Sequence, residues 1–141
     1  MVGFILTGHG QFAPGLASSI AMVAGDQPNF VVVPFEEADA GTYGDTLRAA
    51  ITELRANTDG VVCFCDLLGG TPFNQSMLIS AGMENVEVVA GTNLPMLLET
   101  LIMRGMNEGM TVDEIISTAL SVGPAGIVHK KLEPMMDDED E

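Results

Sequence analysis

Short apolar runs alternate with helix-period segments along the whole chain. Val2–Thr7, Phe30–Val33, Val61–Cys65 and Val86–Val89 are strand-length runs, each followed by a turn and then a longer amphipathic stretch. A helix is predicted after Pro14-Gly15 to about Ala24, and Gly25–Pro28 forms a turn. The second run ends at Pro34. From near Thr42 to Ala56, Leu47, Ala50, Ile51 and Leu54 recur at helical spacing, and Asn57–Gly60 breaks the pattern. Thr71 is placed as the N-cap of a helix with Pro72 at its first position, ending near Gly82. Asn93 caps a helix that includes Pro95 and reaches about Arg104. Thr111–Glu114 reads as a capping box for a last helix through about Leu120.

Strands separated by helices predict an α/β fold, a βαβ sheet covered on both faces. Gly126–Leu132 forms a final extended run, and its Lys130 and Lys131 suit a sheet edge. No internal repeat or linker divides the chain, and 141 residues suit one domain.

Composition narrows the function. Apolar residues make up 47% and the mean hydropathy is +0.31, a surplus that a partner subunit could cover. No run approaches the roughly 18 residues of a membrane helix. The N-terminus has no basic residues and a short, interrupted apolar start, so no signal peptide is expected and the cytoplasm is the default. The net charge of −15 disfavours nucleic acid and anionic lipid and favours a basic protein partner. Asp137–Glu141 supplies five of the acids and reads as a solvated, disordered end. A lure for a basic partner is the second reading of that tail. Cys63 and Cys65 lie two apart on one strand face and cannot comfortably bridge, so they read as small buried hydrophobes rather than metal ligands. No metal is implied by the residues present.

The candidate chemistry lies where two runs end. Gly8-His9-Gly10 closes the first, and Asp66-Leu67-Leu68-Gly69-Gly70-Thr71-Pro72-Phe73-Asn74 follows the third. In a flavodoxin-like order, first and third strands are neighbours at the switch point, which puts both motifs beside one crevice. His9 reads either as a structural residue or as a reactive imidazole among small neighbours. Asp66 is either a loop-bonding carboxylate or an orienter that fixes the imidazole tautomer and stabilises its positive charge. Gly69, Gly70 and Thr71, with Gly10, form an ordinary capped turn or a phosphate cradle of exposed amides and a hydroxyl. No lysine completes a Walker loop and the glycine spacing misses the dinucleotide fingerprint, so ATP and NAD are disfavoured. Phe12 and Phe35 would lie near the same edge, as a shield for the imidazole or as core. Glu36, Glu37 and Asp39 read as a solvated acidic loop, and the ten methionines as core or dimer filler.

Together with Gly91-Thr92-Asn93-Leu94-Pro95-Met96-Leu97, these segments resemble the enzyme IIA component of the mannose family of the bacterial phosphoenolpyruvate-dependent sugar phosphotransferase system. The resemblance runs from Met1 to about Leu132, leaving 133–141 as an acidic tail with no counterpart. It implies a flavodoxin-like open sheet of four parallel strands, plus a C-terminal antiparallel edge strand exchanged in a homodimer. It implies that His9 carries a transient phosphoryl group on Nε2, with Asp66 on the other ring nitrogen. The phosphoryl group would come from phospho-HPr and pass to the IIB component, with the membrane IIC and IID components involved indirectly and no cofactor. The chain is expected to be a free-standing subunit. Leu67-Leu68 departs from the more polar or aromatic pair of some members. The carrier subunit of a dihydroxyacetone kinase, a signalling domain phosphorylated only to regulate, and a flavodoxin-like ligand-binding module stand as rival readings.

Overall fold

The computed structural model describes residues 1–134. The acidic run Asp137–Glu141 lies outside the described residues. The elements alternate as the hydropathy pattern predicts: β1 (Gly3–His9), α1 (Phe12–Ala24), β2 (Phe30–Phe35), α2 (Ala40–Ala56), β3 (Val61–Cys65), α3 (Thr71–Ser80), β4 (Val86–Val89), α4 (Leu94–Met106) and α5 (Val112–Ala125). The strands form one all-parallel sheet in the order β2-β1-β3-β4.

That order explains the two kinds of apolar run. β1 and β3 are central, so Gly3–Gly8 and Val61–Cys65 are buried throughout and read as continuous hydrophobic stretches. Successive side chains point to opposite faces. Phe4, Leu6, Val62 and Phe64 meet α1, α4 and α5 through Ile20, Leu97, Leu101 and Ile115. Ile5, Val33, Val61 and Cys63 meet α2 and α3 through Tyr43, Leu47, Ile51 and Ile79. Both cysteines are free and buried; Cys65 Sγ lies 3.6 Å from Ser76 Oγ, and burial pushes its thiol up to about 11.

Several boundaries move. β2 runs through Pro34 to Phe35 rather than stopping at the proline, because β2 is an edge strand and a missing N–H there breaks no ladder. α1 starts before Pro14, and a 3-10 turn over Glu37–Asp39 leads into α2. The Thr111/Glu114 capping box is present, and Asn93 Oδ1 accepts the Met96 N–H at 3.0 Å. α5 continues past Leu120 to Ala125 with Pro124 in its last turn. Its last turns are held against α4: Asn93 Nδ2 donates to the Gly123 carbonyl at 2.9 Å, and a Cβ on Gly123 would strike Met96. Residues 126–132 form no strand within this chain. They run exposed from the end of α5.

The amino edge of the sheet is fastened by Arg104, which is 1% exposed. Its guanidinium donates to the carbonyls of Val2 (2.9 Å), Asn29 (3.1 Å) and Pro28 (2.5 Å) and sits 4.7 Å over the Phe4 ring. Burial pulls its pKa down to about 10, so it stays charged at neutral pH. The helical pattern alone marks position 104 as an α4 terminus; the strand-end carbonyls that demand a cation there are invisible in one sequence. Arg104→Met keeps length and apolar bulk but strands those carbonyls. It is expected to lower unfolding free energy by about 2–4 kcal/mol in urea titration.

Candidate functional site

β1 and β3 deliver His9 and Asp66 side by side at the carboxyl edge of the sheet. Thr7 pairs with Cys65 in the parallel register, so His9, the last residue of β1, and Asp66, the first after β3, come out at the same end of the sheet. One carboxylate oxygen, Asp66 Oδ2, accepts both the His9 backbone N–H and the His9 ring at Nδ1, each at 2.8 Å. The other, Oδ1, accepts the Leu67 N–H at 2.8 Å. Burial pushes the Asp66 carboxyl up, but the bonds from His9 and Leu67 outweigh it and hold its pKa below the usual carboxylate range. An ionised carboxylate only accepts hydrogen bonds, so Nδ1 carries the ring proton and Nε2 presents its lone pair. The Asp66 side chain is 10% exposed and that of His9 44%: the orienting group is sheltered while the imidazole meets solvent.

Glycines make this approach possible. A Cβ on Gly8 would lie 2.6 Å from the Phe12 ring and 2.9 Å from Asp66 Cγ. A Cβ on Gly70 would lie 2.6 Å from His9 Cε1 and 3.1 Å from Nε2. Gly10 and Gly69 have φ of +57° and +88°, a region that disfavours side chains. The Gly10 N–H donates to the Phe35 carbonyl at 2.8 Å, which ties the loop after β1 to the end of β2.

The loop from Asp66 enters α3 with a correction to the expected cap. Gly70, not Thr71, is the N-cap: its carbonyl already accepts the Asn74 N–H at 2.8 Å, and Thr71 is the first helical residue. The reason is steric, because only a glycine can sit against the imidazole. The Thr71 and Phe73 amides fall in the first turn, where a helix has no internal acceptors for them. Thr71 is exposed, and Asn74 Nδ2 holds the loop through the Gly69 carbonyl at 3.1 Å. The imidazole thus stands beside a helix N-terminus, a favourable place for an anion.

The structure therefore gathers His9, Asp66, Gly10, Gly69, Gly70 and Thr71 at one edge. Phe35 lies edge-on to His9 with ring centroids 5.7 Å apart, while Phe12, the first residue of α1, packs against the core and beside Gly8. Asn74 and Tyr43 also support the site; Asn74 stands in the quoted loop motif, whereas nothing in α2 marks Tyr43. Leu67 and Leu68 are exposed beside Asp66, at 58% and 78%. A groove of about 510 Å³ lined by Met103, Met106, Met110 and Glu114 lies at the other end of α4 and α5, far from this chemistry. His129 is exposed after α5.

The family model described as "PTS system fructose IIA component", EIIA-man, matches residues 3–120. The chain belongs to this family of phosphotransferase-system IIA components. It is 32% identical over 135 residues to the mannose-specific EIIAB component of Escherichia coli K12, covering 95% of this chain and 41% of that protein. This IIA chain thus spans about two fifths of that relative's length. It is 32% identical over 105 residues to the fructose-specific EIIA component of Bacillus subtilis, covering 74% of this chain and 71% of the other. A crystal structure of phosphotransferase system component EIIA from Streptococcus agalactiae superposes with a TM-score of 0.78 at 33% identity, over 92% of this chain and 97% of that one. The parallel α/β sheet seen here matches such IIA structures. No helix among the described residues is long and apolar enough to cross a membrane.

Gly70→Ala tests the steric reading. The added methyl must displace the imidazole or the start of α3, since its contact is with a ring wedged against Asp66. Thermal unfolding is expected to move by only a few degrees, as the residue is in a surface loop. The hydrogen-bonded Nδ1 proton resonance of His9 should be lost or shifted; an unchanged resonance would show that the loop yields instead.

Proposed function

We propose that this chain is a phosphocarrier: His9 accepts a phosphoryl group from phospho-HPr on Nε2 and passes it to a IIB component, coupled to sugar uptake. The observation that carries this reading is the shared Asp66 oxygen, which holds both the backbone and the ring of His9 and leaves Nε2 free beside the start of α3.

The reaction needs little more than alignment. The donor's N–P bond breaks, the donor nitrogen keeps the electron pair, and Nε2 forms the new N–P bond in line with it. No proton need cross between the partners, because the Nδ1 proton stays on the ring and against Asp66. As the imidazole takes on positive character, the carboxylate stabilises it. The amides of Gly70 and Thr71 and the Thr71 hydroxyl receive the phosphoryl oxygens, and Gly10 and Gly69 give them room. Onward transfer is the same step in reverse, with the IIB side chain as nucleophile.

A homodimer fits this reading. Ile127, Val128 and Leu132 are 78%, 68% and 95% exposed after the end of α5, and β4 has an open edge. Exposed apolar side chains on an unpaired segment, in a chain whose sheet has open edges, favour strand exchange with a second copy. The IIA domain would then extend through residue 132, and the work would take place in the cytoplasm.

The test is intact-protein mass after incubation with phosphoenolpyruvate, enzyme I and HPr. Wild type is expected to gain one acid-labile phosphoryl group and His9→Ala none. Asp66→Asn should slow the gain roughly 100-fold, because an amide can donate to Nδ1 and favour the wrong tautomer. Phosphorylation retained in His9→Ala would place the acceptor elsewhere, and an unchanged rate in Asp66→Asn would remove the orienting role.

A further inference from the structure

Asp66 fixes one atom of the His9 ring, Nδ1, and a single hydrogen bond leaves a ring free to rock about its own bond to Cβ. What limits that motion comes from β2. Phe35 is the last residue of β2 and pairs with His9 in the parallel register. Its ring lies against the imidazole at 5.7 Å between centroids and 80° between planes. Its carbonyl is held by the Gly10 N–H at 2.8 Å, so its backbone is fixed to the same loop.

Phe35 is itself braced from behind. Tyr43, on α2, packs edge-on against it with centroids 4.8 Å apart and planes at 62°. Tyr43 is 2% exposed. Its hydroxyl meets Thr7 Oγ1 at 2.5 Å, and Thr7 Oγ1 donates to the Val33 carbonyl at 2.6 Å. Thr7 has one hydroxyl proton and gives it to Val33, so Tyr43 must be the donor in its bond to Thr7. Burial pushes the Tyr43 hydroxyl up, which keeps that donor proton in place at neutral pH. The brace therefore runs from the fully buried Thr7 of β1 through Tyr43 and Phe35 to the His9 ring.

We propose that Phe35 is a positioning residue for phosphoryl transfer, holding the His9 imidazole between its own ring and Gly70 so that Nε2 stays aimed out of the crevice. This rests on the reading of His9 as the phosphoryl acceptor. In-line transfer is sensitive to alignment, with roughly 10²-fold in rate at stake for about 1 Å of displacement. The Phe35 side chain has no polar atom with which to bond a phosphoryl oxygen, so its removal should affect turnover rather than KM.

The test compares wild type with Phe35→Leu, Phe35→Met and Phe35→Tyr in phosphoryl transfer from phospho-HPr. Side-chain scalar couplings of His9 and thermal midpoints are recorded for each. The two variants without a ring are expected to lose about ten-fold in kcat, a smaller loss than that of a full 1 Å displacement. KM should be unchanged and the His9 couplings averaged over rotamers. Phe35→Tyr keeps the ring and should keep both wild-type kcat and a single His9 rotamer. An unchanged kcat in both ringless variants overturns the proposal. So does a loss of kcat with the His9 rotamer still single, or a loss in Phe35→Tyr equal to that in Phe35→Leu. Wild-type protein that takes up no phosphoryl group refutes the carrier reading instead, and the couplings then still report whether Phe35 holds the ring.

Discussion

The site depends on a single carboxylate oxygen that serves two donors of the same residue. Asp66 Oδ2 binds the His9 N–H and the His9 ring together, so the backbone where β1 ends and Nδ1 of its last side chain are tied to one atom. That requires β1 and β3 to be neighbours in parallel register. It also requires Gly8 to lack a side chain, so that the carboxylate can close on the strand end. The fully buried apolar runs of β1 and β3 are what keep those strands central, and the two-faced core holds them in place. Packing and site chemistry thus meet at the same strand ends.

The burial pattern divides the roles. A carboxylate that must stay ionised is sheltered but satisfied by three donors, while the imidazole it orients stands in solvent. The His9 ring is 44% exposed beside a helix N-terminus. Such a surface suits a phosphoryl group delivered on another protein rather than a free small molecule. The exposed Leu67 and Leu68 beside it, and the strong negative charge of the chain, are compatible with protein partners of basic character.

Much of this is written in local sequence. Continuous apolar runs mark parallel buried strands, and the Thr111/Glu114 box and Asn93 cap behave as their residue types require. His9, Asp66 and the Gly69-Gly70 loop stand out because polar or glycine residues close otherwise apolar runs. Less legible is what depends on distant contacts. Gly70 displaces Thr71 from the cap because the imidazole occupies the space a side chain would need. Pro34 stays in a strand because β2 is at the edge, a fact of topology. Arg104 and Tyr43 look like ordinary helix positions until their partners, strand-end carbonyls and the Thr7 hydroxyl, are brought in by the fold. The segment after α5 carries a strand-like pattern but pairs with neither open edge of its own sheet.

The central claim is that Asp66 sets the tautomer of His9 and thereby chooses the nitrogen that reacts. Nitrogen-15 NMR of the imidazole, before and after phosphorylation, tests it most directly. A protonated Nδ1 and an unprotonated Nε2 are expected in the free protein, and phosphorus coupling to Nε2 in the phosphorylated one. A protonated Nε2 in the free protein, or phosphorus bonded to Nδ1, would contradict it.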